Sequence, residues 1–326
     1  MPEKPVIICT RGSALALAQA NMVLAQCRAA FPELAFELKV MKTTGDKLLT
    51  ASLANPSADL PKGLFTKELE VALLEQRADL AVHSLKDLPT ELPPGLTLGA
   101  VGERADVRDV LIYRDAAAAL PPGLRGFPAG LTLAALPPNA VVATSSTRRK
   151  AQLLDQRPDL KFVEVRGNII TRMQKLATQP GFDAMLLALA GLNRLHCQVT
   201  PEGQLRGESV PAGLRAVVLP ADVMLPCVGQ AALGIEIRAG DARIAAVCAR
   251  LNHSPTQQCV TAERAFLAAM GGGCASPVGV TTEIVGNQLR LRVVSFVGGT
   301  CRRATGERPV NEARELGESL AAQLRR

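Results

Sequence analysis

The first forty residues alternate between short apolar runs and a longer stretch with helical character. Val6–Thr10 is a short apolar run that predicts a buried strand. Ser13 then stands where a helix cap is expected, before the helical stretch ALALAQANMVLAQCRAAF, which Pro32 ends. Phe36–Met41 predicts the next strand. The chain is therefore expected to begin with a βαβ unit.

The same alternation continues to about residue 217. The predicted strands are 79–83, 96–101, 141–146, 161–165 and the start of 183–192, and the predicted helices are 66–76, 148–156 and 168–177. Strands that alternate with helices imply mainly parallel sheets, whose binding sites lie at the carboxyl ends of the strands. Two similar α/β lobes are expected, and the apolar segment 218–238 is expected to return to the first of them.

The pattern changes after residue 239. Two helices (242–251 and 256–269), a hairpin with Gly286 and Asn287 at its turn, a further strand and a terminal helix predict an α+β domain. The predicted fold class is α/β, with two lobes of mainly parallel sheets and a C-terminal α+β domain. The expected domains are 1–106 with 218–238, 107–217, and 239–326. A Pro- and Gly-rich segment at 121–138, within an insertion at 116–138, is expected to be mobile.

The amino-acid composition makes the chain cationic. The net charge is +7, residues 107–217 contribute +6 of it, and Arg outnumbers Lys by 27 to 10. Arginine suits bidentate recognition of carboxylate or phosphate, although a GC-rich genome also raises the Arg count. No apolar run is long enough to span a membrane, the start lacks a secretory pattern, and the eight cysteines include no C-x-x-C pair. A soluble cytoplasmic protein without a metal site is expected.

Familiar nucleotide, zinc and serine-hydrolase motifs are absent from the sequence. Polar and basic residues instead follow the predicted strands, namely Arg11, Ser84, Lys86, Ser145, Ser146, Arg148, Arg149 and Arg166. Each could simply be a solvated surface residue. Their repeated position at strand ends predicts a cleft that binds several carboxylates, with helix N-termini at Ser13 and Ser146 adding N–H donors.

Two further residues could carry chemistry. Asp87, in HSLKDLP, is expected to face the same cationic cleft, where nearby cations favour its ionised form and suit it to stabilise a developing cation. A turn or helix-cap role remains open for it. Cys274 lies in the glycine-rich segment MGGGCASPVG, which predicts an exposed loop. A reactive or modified thiol and an incidental loop cysteine both remain open.

These residues occur in a series of motifs along the chain. They are ICTRGSALALAQA, KTTGDK, HSLKDLPTELPPGL, ATSSTRRKAQLL, RGNIITRM, ALAGLNRL, LPCVGQAALGIE and GGGCASPVG, in that order. Over nearly its whole length the chain resembles the porphobilinogen deaminase (hydroxymethylbilane synthase) family. The resemblance implies two lobes of the type II periplasmic-binding kind and a transferase that condenses four porphobilinogen molecules onto a dipyrromethane primer. It also implies a monomer.

The resemblance also implies roles for individual residues. Asp87 would be catalytic, and Cys274 would carry the dipyrromethane through a thioether. The other implied cofactor-binding residues are Ser84, Lys86, Asp46, Ser146, Arg148 and Arg149. The implied substrate-binding residues are Arg11, Ser13, Arg149, Arg157, Arg166, Arg194, Lys62 and Phe65.

The sequence departs from the family pattern at four alanines. Ala14 stands where proline is usual, Ala18 where an aromatic is common, Ala231 where glycine is usual, and Ala275 where glutamine often follows the cysteine. These changes affect packing and loop geometry more than the expected site. Two other function classes fit the sequence less well. A non-catalytic carboxylate-binding module would not need Cys274, and a nucleic-acid-binding protein is disfavoured by the 3% aromatic content.

Overall fold

The computed structural model describes residues 4–43, 66–273 and 275–325. Four residues with expected site roles, Asp46, Lys62, Phe65 and Cys274, lie outside the described residues. The described strands are β1 (Val6–Arg11), β2 (Phe36–Met41), β3 (Leu80–Ser84), β4 (Leu96–Val101), β5 (Asp109–Arg114), β6 (Val141–Ala143), β7 (Lys161–Val163), β8 (Ala184–Ala188), β9 (Gln198–Val199), β10 (Leu205–Arg206), β11 (Leu214–Val218), β12 (Leu233–Arg238), β13 (Val278–Val285), β14 (Gln288–Ser295) and β15 (Arg302–Pro309). The described α-helices are α1 (Ala14–Ala30), α2 (Lys67–Leu74), α3 (Thr147–Gln156), α4 (Ile169–Thr178), α5 (Leu189–Arg194), α6 (Ala242–Leu251), α7 (Ser254–Ala269) and α8 (Ala313–Arg325).

The first lobe contains a five-stranded sheet in the order β2-β1-β3-β12-β4. β1 pairs in parallel with β2 and β3, whereas β12 runs antiparallel between β3 and β4. β12 belongs to the segment that was expected to return to this lobe. Its insertion makes the lobe discontinuous in sequence, so the chain crosses between the lobes twice.

The second lobe repeats this arrangement in the order β11-β5-β8-β6-β7. β6 pairs in parallel with β7 and β8, and β5 runs antiparallel to β8 and β11. A three-stranded antiparallel sheet, β13-β14-β15, forms the core of the C-terminal part. The predicted fold class is therefore confirmed: two α/β lobes with parallel-rich sheets, followed by an α+β domain.

The C-terminal domain packs α7 and α8 on its sheet. Phe266, Leu291 and Leu320 lie in its buried core. Gly317 lies where α8 crosses α7, and a side-chain carbon there would collide with the Ala262 carbonyl oxygen. The predicted hairpin turn is confirmed, because Val285 pairs with Gln288 across Gly286 and Asn287, and Gly286 has a φ of +60°.

Helix α6 belongs structurally with the first lobe. Its residues Ile244, Val247 and Cys248 are buried in the same core as Val6 and Ile235 of the first sheet. The expected domain boundary at 239 stays a prediction, but these apolar contacts favour a boundary after Leu251.

A buried ion pair joins the parts of the molecule where the chain crosses between the lobes. Glu263 of α7 is fully buried and accepts hydrogen bonds from both terminal nitrogens of Arg104, at 2.6 and 3.0 Å. The same carboxylate accepts from Gly229 N at 2.9 Å and from Thr282 Oγ1 at 2.6 Å. Arg104 Nε donates to the Gln230 carbonyl at 2.8 Å. Both crossings are thereby tied to the C-terminal domain.

The second crossing contains a backbone conformation that is unusual for its residue. Ala231 has a φ of +71°, in the left-handed region that a glycine adopts without strain. The Ala231 carbonyl accepts from Arg194 NH2 at 2.6 Å and from Ala105 N at 3.4 Å. The alanine that replaces the usual glycine is therefore held in place by donors from the second lobe and from the other crossing.

The expectation that the insertion is mobile is wrong. Phe127, Leu131, Leu133 and Leu136 are buried against the second sheet. Leu131 N donates to the hydroxyl of Tyr113 at 3.3 Å, within that core. The Pro and Gly signals correctly indicated irregular structure, but apolar residues spaced through the segment fix it to the lobe.

Arg157 stabilises this insertion and does not belong to a carboxylate cleft. Its NH1 donates to the carbonyls of Leu133, Ala134 and Leu136 at 2.9 to 3.2 Å. Asp159 accepts from Nε and NH2 of Arg157, both at 2.7 Å, and this pairing holds the pKa of Asp159 at about 2. The substrate-binding role implied for Arg157 is therefore corrected, because the described contacts already engage its guanidinium.

No helix among the described residues is both long enough and apolar enough to cross a bilayer.

Replacing Arg157 tests its role in holding the insertion. We expect Arg157→Ala to expose residues 127–136 to thermolysin about tenfold faster than in the wild type, because several hydrogen bonds to a charged group, worth about 1–3 kcal/mol together, are lost. The measurement is the rate of limited proteolysis with cleavage sites mapped by mass. Arg308→Ala, which removes an exposed ion pair with Glu312, is the control. Equal cleavage rates in Arg157→Ala and the wild type would contradict the assignment.

Candidate functional site

Three of the predicted residues lie on the turn that follows β3. Ser84 is the last residue of β3, and Lys86 and Asp87 lie in the one-turn 3-10 helix Leu85–Asp87. Ser84 Oγ is paired with the side-chain amide of Gln19 on α1, at 2.7 and 3.1 Å. Leu85 N donates to the Ala232 carbonyl at 3.0 Å, so the turn is fixed to both neighbouring elements.

The end of β3 is also fixed from inside the first lobe. His83 Nε2 lies 2.9 Å from Glu236 Oε2 of β12, and both side chains are buried. A buried polar pair of this kind sets the register between neighbouring strands, since leaving either group unpaired is costly. The positions of Ser84, Lys86 and Asp87 follow from that register.

Lys86 and Asp87 differ in exposure. The Asp87 residue is exposed, and its side chain forms no hydrogen bond with the residues that the structure describes. Lys86 is partly buried, and burial lowers the pKa of its ammonium group while the neighbouring Asp87 acts to raise it. The turn therefore presents one ammonium group and one accessible carboxylate side by side.

The N-terminus of α1 contributes the predicted Arg11 and Ser13. Arg11 is the last residue of β1, and Ser13 caps α1 by accepting from Ala16 N at 3.3 Å. β1 and β3 are parallel neighbours, so Arg11 and Ser84 lie at the same sheet edge. The capping role explains the serine locally, and it leaves the hydroxyl hydrogen of Ser13 as a donor.

The second lobe places two arginines on α3. Ser146 caps this helix by accepting from Arg149 N at 3.4 Å. Arg148 and Arg149 are 3% and 8% exposed, which is unusual for arginine. Both donate to the fully buried carboxylate of Asp109, at 2.7 and 2.8 Å. The Nε atoms of both arginines are buried without a hydrogen-bond partner among the described residues.

The two lobes meet at these cations. The positive charge of Arg149 acts to lower the pKa of Lys86, and the negative charge of Asp109 acts to raise it. These interactions place Lys86 of the first lobe close to the arginine pair of the second. Lys86 of the first lobe and the arginine pair of the second are therefore close enough to interact electrostatically.

Arg166 and Arg194 occupy different environments on the second lobe. Arg166 is exposed and lies 3.6 Å from Glu164. Arg194, at the end of α5, donates to the Ala231 carbonyl, and its Nε is buried without a partner among the described residues. Burial lowers the pKa of Arg194. A cation that is partly buried without a described carboxylate is suited to bind an anion.

Sequence reasoning missed Arg172. This residue lies on α4, and its Nε donates to the Gly167 carbonyl at 2.8 Å. Burial, and then the charge of Arg149, lower the pKa of its guanidinium. Arg172 therefore belongs with the cation cluster. The available signal was the motif RGNIITRM, which places Arg172 six residues after Arg166 and within the predicted helix 168–177.

The C-terminal domain approaches the same place through the segment around position 274. The Ala275 carbonyl accepts from Thr147 Oγ1 at 2.5 Å, at the start of α3. Arg264 NH2 donates to the Pro89 carbonyl at 2.6 Å, just after the turn that carries Asp87. A small cavity is lined by Lys86, Cys227, Arg264, Gly273 and Ser276, among others. Ala275 therefore contacts the start of α3 in the second lobe, and Gly273 and Ser276 line a cavity together with Lys86 of the first lobe.

This geometry is suited to bind several carboxylates close to one exposed carboxylate of the protein. Buried guanidinium Nε–H groups without partners are strong donors for anionic ligands. Helices α1 and α3 add backbone N–H groups at their capped N-termini. A polyanion bound between the lobes would contact cations from both of them, with Asp87 and Lys86 at its side.

Comparison with known proteins gives consistent matches over nearly the whole chain. Residues 6–246 match the family model described as porphobilinogen deaminase, dipyromethane cofactor binding domain, and residues 257–326 match porphobilinogen deaminase, C-terminal domain. The chain is 43% identical over 317 residues to the porphobilinogen deaminase of Moorella thermoacetica, covering 97% of this chain and 91% of that protein. It is 44% identical over 327 residues to the porphobilinogen deaminase of Desulforudis audaxviator, covering 99% and 94%. A crystal structure of a full-length BenM mutant is similar with a TM-score of 0.40 and 15% identity, covering 77% of this chain and 67% of that one.

The Asp109 ion pairs predict an acid-dependent stability difference. Burial acts to raise the pKa of Asp109, but Arg148 and Arg149 outweigh it and hold that pKa below its ordinary value. The contribution of the carboxylate to stability is therefore fully present above the unfolded-state pKa of about 3.9 and is lost as the pH falls toward the folded-state pKa. We expect Asp109→Asn to lower the free energy of unfolding by about 3 kcal/mol at pH 7, since it leaves buried arginines uncompensated.

Urea unfolding of both proteins between pH 2.5 and 7 checks this expectation. The difference in free energy of unfolding between the wild type and Asp109→Asn should be constant above about pH 5 and should narrow below pH 4. Asp222→Asn, which removes the surface pair with Arg292, is the control and should differ little from the wild type throughout. A wild-type advantage that persists unchanged to pH 2.5 would show that the Asp109 charge does not supply it.

Proposed function

The chain belongs to the porphobilinogen deaminase family, and from this premise we propose which of its residues carry out the reaction. The enzyme is a transferase that condenses four porphobilinogen molecules, with loss of ammonia, onto a dipyrromethane cofactor and releases the linear tetrapyrrole hydroxymethylbilane. Each pyrrole brings further carboxylates, so the enzyme must hold an increasingly anionic chain. The observation that carries the proposal is that the buried Nε atoms of Arg148, Arg149 and Arg194 lack a partner among the described residues. Lys86, next to the exposed Asp87, interacts electrostatically with Arg149.

The described residues fit the dipyrromethane cofactor. Its acidic side chains match the donors of Ser84, Lys86, Ser146, Arg148 and Arg149, and the partnerless Nε atoms of the two arginines are the specific observation that supports the fit. When bound, the cofactor supplies a pyrrole primer on which the product is assembled. Cys274 is the proposed attachment point, supported by the hydrogen bond between Ala275 and Thr147 and by the cavity that Gly273 and Ser276 line together with Lys86. Asp46 keeps the cofactor-binding role that the resemblance implies.

The substrate and the growing chain are proposed to be held by a second group of cations. Arg11, Arg166 and Arg194 keep the roles that the resemblance implies, and Arg172 joins them because it lies near Arg149. Ser13, Lys62 and Phe65 complete the proposed substrate-binding group, and Arg149 is shared with the cofactor. Guanidinium groups bind carboxylates in a bidentate geometry, so this group orients the acidic side chains as well as neutralising them.

Asp87 is the proposed catalytic residue. Loss of ammonia breaks a C–N bond of porphobilinogen, with the electron pair leaving on nitrogen, and leaves a cationic azafulvene. A carboxylate oxygen of Asp87 can stabilise that cation and can accept the proton that is released when the new carbon–carbon bond forms.

We also propose that the enzyme works as a monomer in the cytoplasm, with porphobilinogen as its small-molecule partner. Support for a reducing compartment comes from the described cysteines, which are free and mostly buried. Sedimentation of the purified protein and fractionation of cells test these two points separately.

The attachment site predicts a mass change. Intact protein is expected to exceed its sequence mass by one dipyrromethane, and Cys274→Ser should lose that mass because serine cannot form the thioether. Cys301→Ser, a partly exposed cysteine of the same domain, is the control and should keep it. Cys227→Ser tests the neighbouring thiol in the cavity. Loss of the added mass in Cys227→Ser with retention in Cys274→Ser would move the attachment site.

The catalytic role of Asp87 predicts a loss of turnover without loss of cofactor. Asp87→Asn should lower kcat by about 100-fold or more, because it removes both the charge and the proton acceptor. Intact mass should show that the cofactor is retained. Glu91→Gln changes a nearby exposed carboxylate and should have near-wild-type kcat. Near-normal turnover in Asp87→Asn would place the catalytic group elsewhere.

A further inference from the structure

The buried carboxylate of Asp109 has no role in the proposed chemistry, yet it contacts both cofactor-binding arginines. We propose that Asp109 is a positioning residue that fixes Arg148 and Arg149 in the orientation in which they bind the carboxylates of the cofactor. This inference rests on the proposed function of the two arginines. It assigns to Asp109 no contact with substrate or cofactor.

Both oxygens of Asp109 are used by side chains that converge on it. Oδ2 accepts from Arg148 NH1 at 2.7 Å, and Oδ1 accepts from Arg149 NH2 at 2.8 Å and from Gln230 Nε2 at 3.0 Å. The carboxylate is 0% exposed. Charge-assisted hydrogen bonds at these distances, in a site without solvent, define the orientation of each group closely.

The other nitrogen contacts of the arginines complete this orientation. Arg148 NH1 also donates to the Leu225 carbonyl at 2.7 Å, and Arg149 NH1 donates to the Leu186 carbonyl at 3.0 Å. The groups without a described partner are the two Nε atoms. Asp109 and the two carbonyls thus occupy terminal nitrogens, and the Nε–H donors are left for an anionic ligand.

The charge balance gives Asp109 a second effect on the site. Arg148, Arg149 and Lys86 are three cations in a largely buried space, and their mutual repulsion would favour displacement of at least one of them. The single charge of Asp109 offsets part of this repulsion and leaves the cluster positive. A neutral residue at 109 would retain the volume but not the attraction.

Gln230 connects Asp109 to the crossings between the lobes. Its Nε2 also donates to the Val107 carbonyl at 2.7 Å, and its own carbonyl accepts from Arg104. The position of the arginine pair is therefore fixed relative to the crossings between the lobes as well as to the second lobe. Removing the Gln230 side-chain bonds should loosen Asp109 without changing any charge.

The experiment follows cofactor acquisition by the protein freed of cofactor. Purified apo-protein is incubated with porphobilinogen, and the fraction that carries dipyrromethane is followed by intact mass. Thermal unfolding of each apo-variant is recorded first. We expect Asp109→Asn to acquire the cofactor about tenfold more slowly, and Gln230→Met to do so about threefold more slowly with both arginines and Asp109 intact. Asp115→Asn, which breaks the ion pair with Arg215 just beyond the other end of β5, is the matched control.

A double-mutant cycle separates positioning from general destabilisation. Because Asp109 contacts both arginines, Asp109→Asn should slow acquisition by only about threefold in an Arg149→Gln background, where the Arg148 contact alone remains to be lost. The KM for porphobilinogen and kcat of the loaded variants are measured in parallel, and KM is expected to change more than kcat.

Each outcome decides one question. Wild-type acquisition by folded Asp109→Asn, or the same tenfold effect in both backgrounds, overturns the positioning role. If Asp109→Asn does not fold, wild-type acquisition by Gln230→Met overturns it instead. If Arg148→Gln and Arg149→Gln themselves acquire the cofactor at the wild-type rate, the proposed cofactor site is wrong, which is a separate failure.

Discussion

The repulsion between clustered guanidinium groups is the constraint on which the rest of this structure depends. A site for a polyanion needs several cations close together before the anion arrives, and burial makes their repulsion stronger. The molecule meets this need with few carboxylates. Asp109 is shared by Arg148 and Arg149, while Arg172 and Arg194 are partly buried beside backbone carbonyls that accept from them. The cluster stays positive, and the exposed Asp87 supplies a negative charge at its side.

A single buried carboxylate also serves several donors where the lobes and the C-terminal domain join. Glu263 accepts four hydrogen bonds from Arg104, Gly229 and Thr282, and these donors lie on both crossings and on β13. A buried ion pair of this kind is weak evidence for stability, because desolvation offsets much of the attraction. The ion pair has a larger effect on the geometry of the molecule than on its stability. It fixes α7 and β13, which lie on either side of position 274 in the sequence, relative to both crossings.

Much of the fold and part of the site could be predicted because the signals were local. Ser13 and Ser146 stand at helix starts, and both proved to be helix caps, so the strand-end cations were placed at the correct sheet edge. The errors came from long-range contacts. Pro and Gly residues indicated a loose insertion, but its burial depends on Arg157, which is distant from it in sequence. Arg172 was missed because its role depends on how closely α4 approaches Arg149, and no local pattern encodes that distance.

The alanine at position 231 carries a further thermodynamic consequence. Its φ of +71° costs about 1 kcal/mol relative to a right-handed conformation, a cost that glycine would not incur. That energy is stored at a point through which the chain passes from one lobe to the other. Any rearrangement of the lobes that returned φ of Ala231 to negative values would release this energy. The energy corresponds to a factor of about five in the ratio between the populations of the two lobe arrangements. The replacement of the usual glycine therefore changes the relative free energies of lobe arrangements without altering any group that binds a ligand.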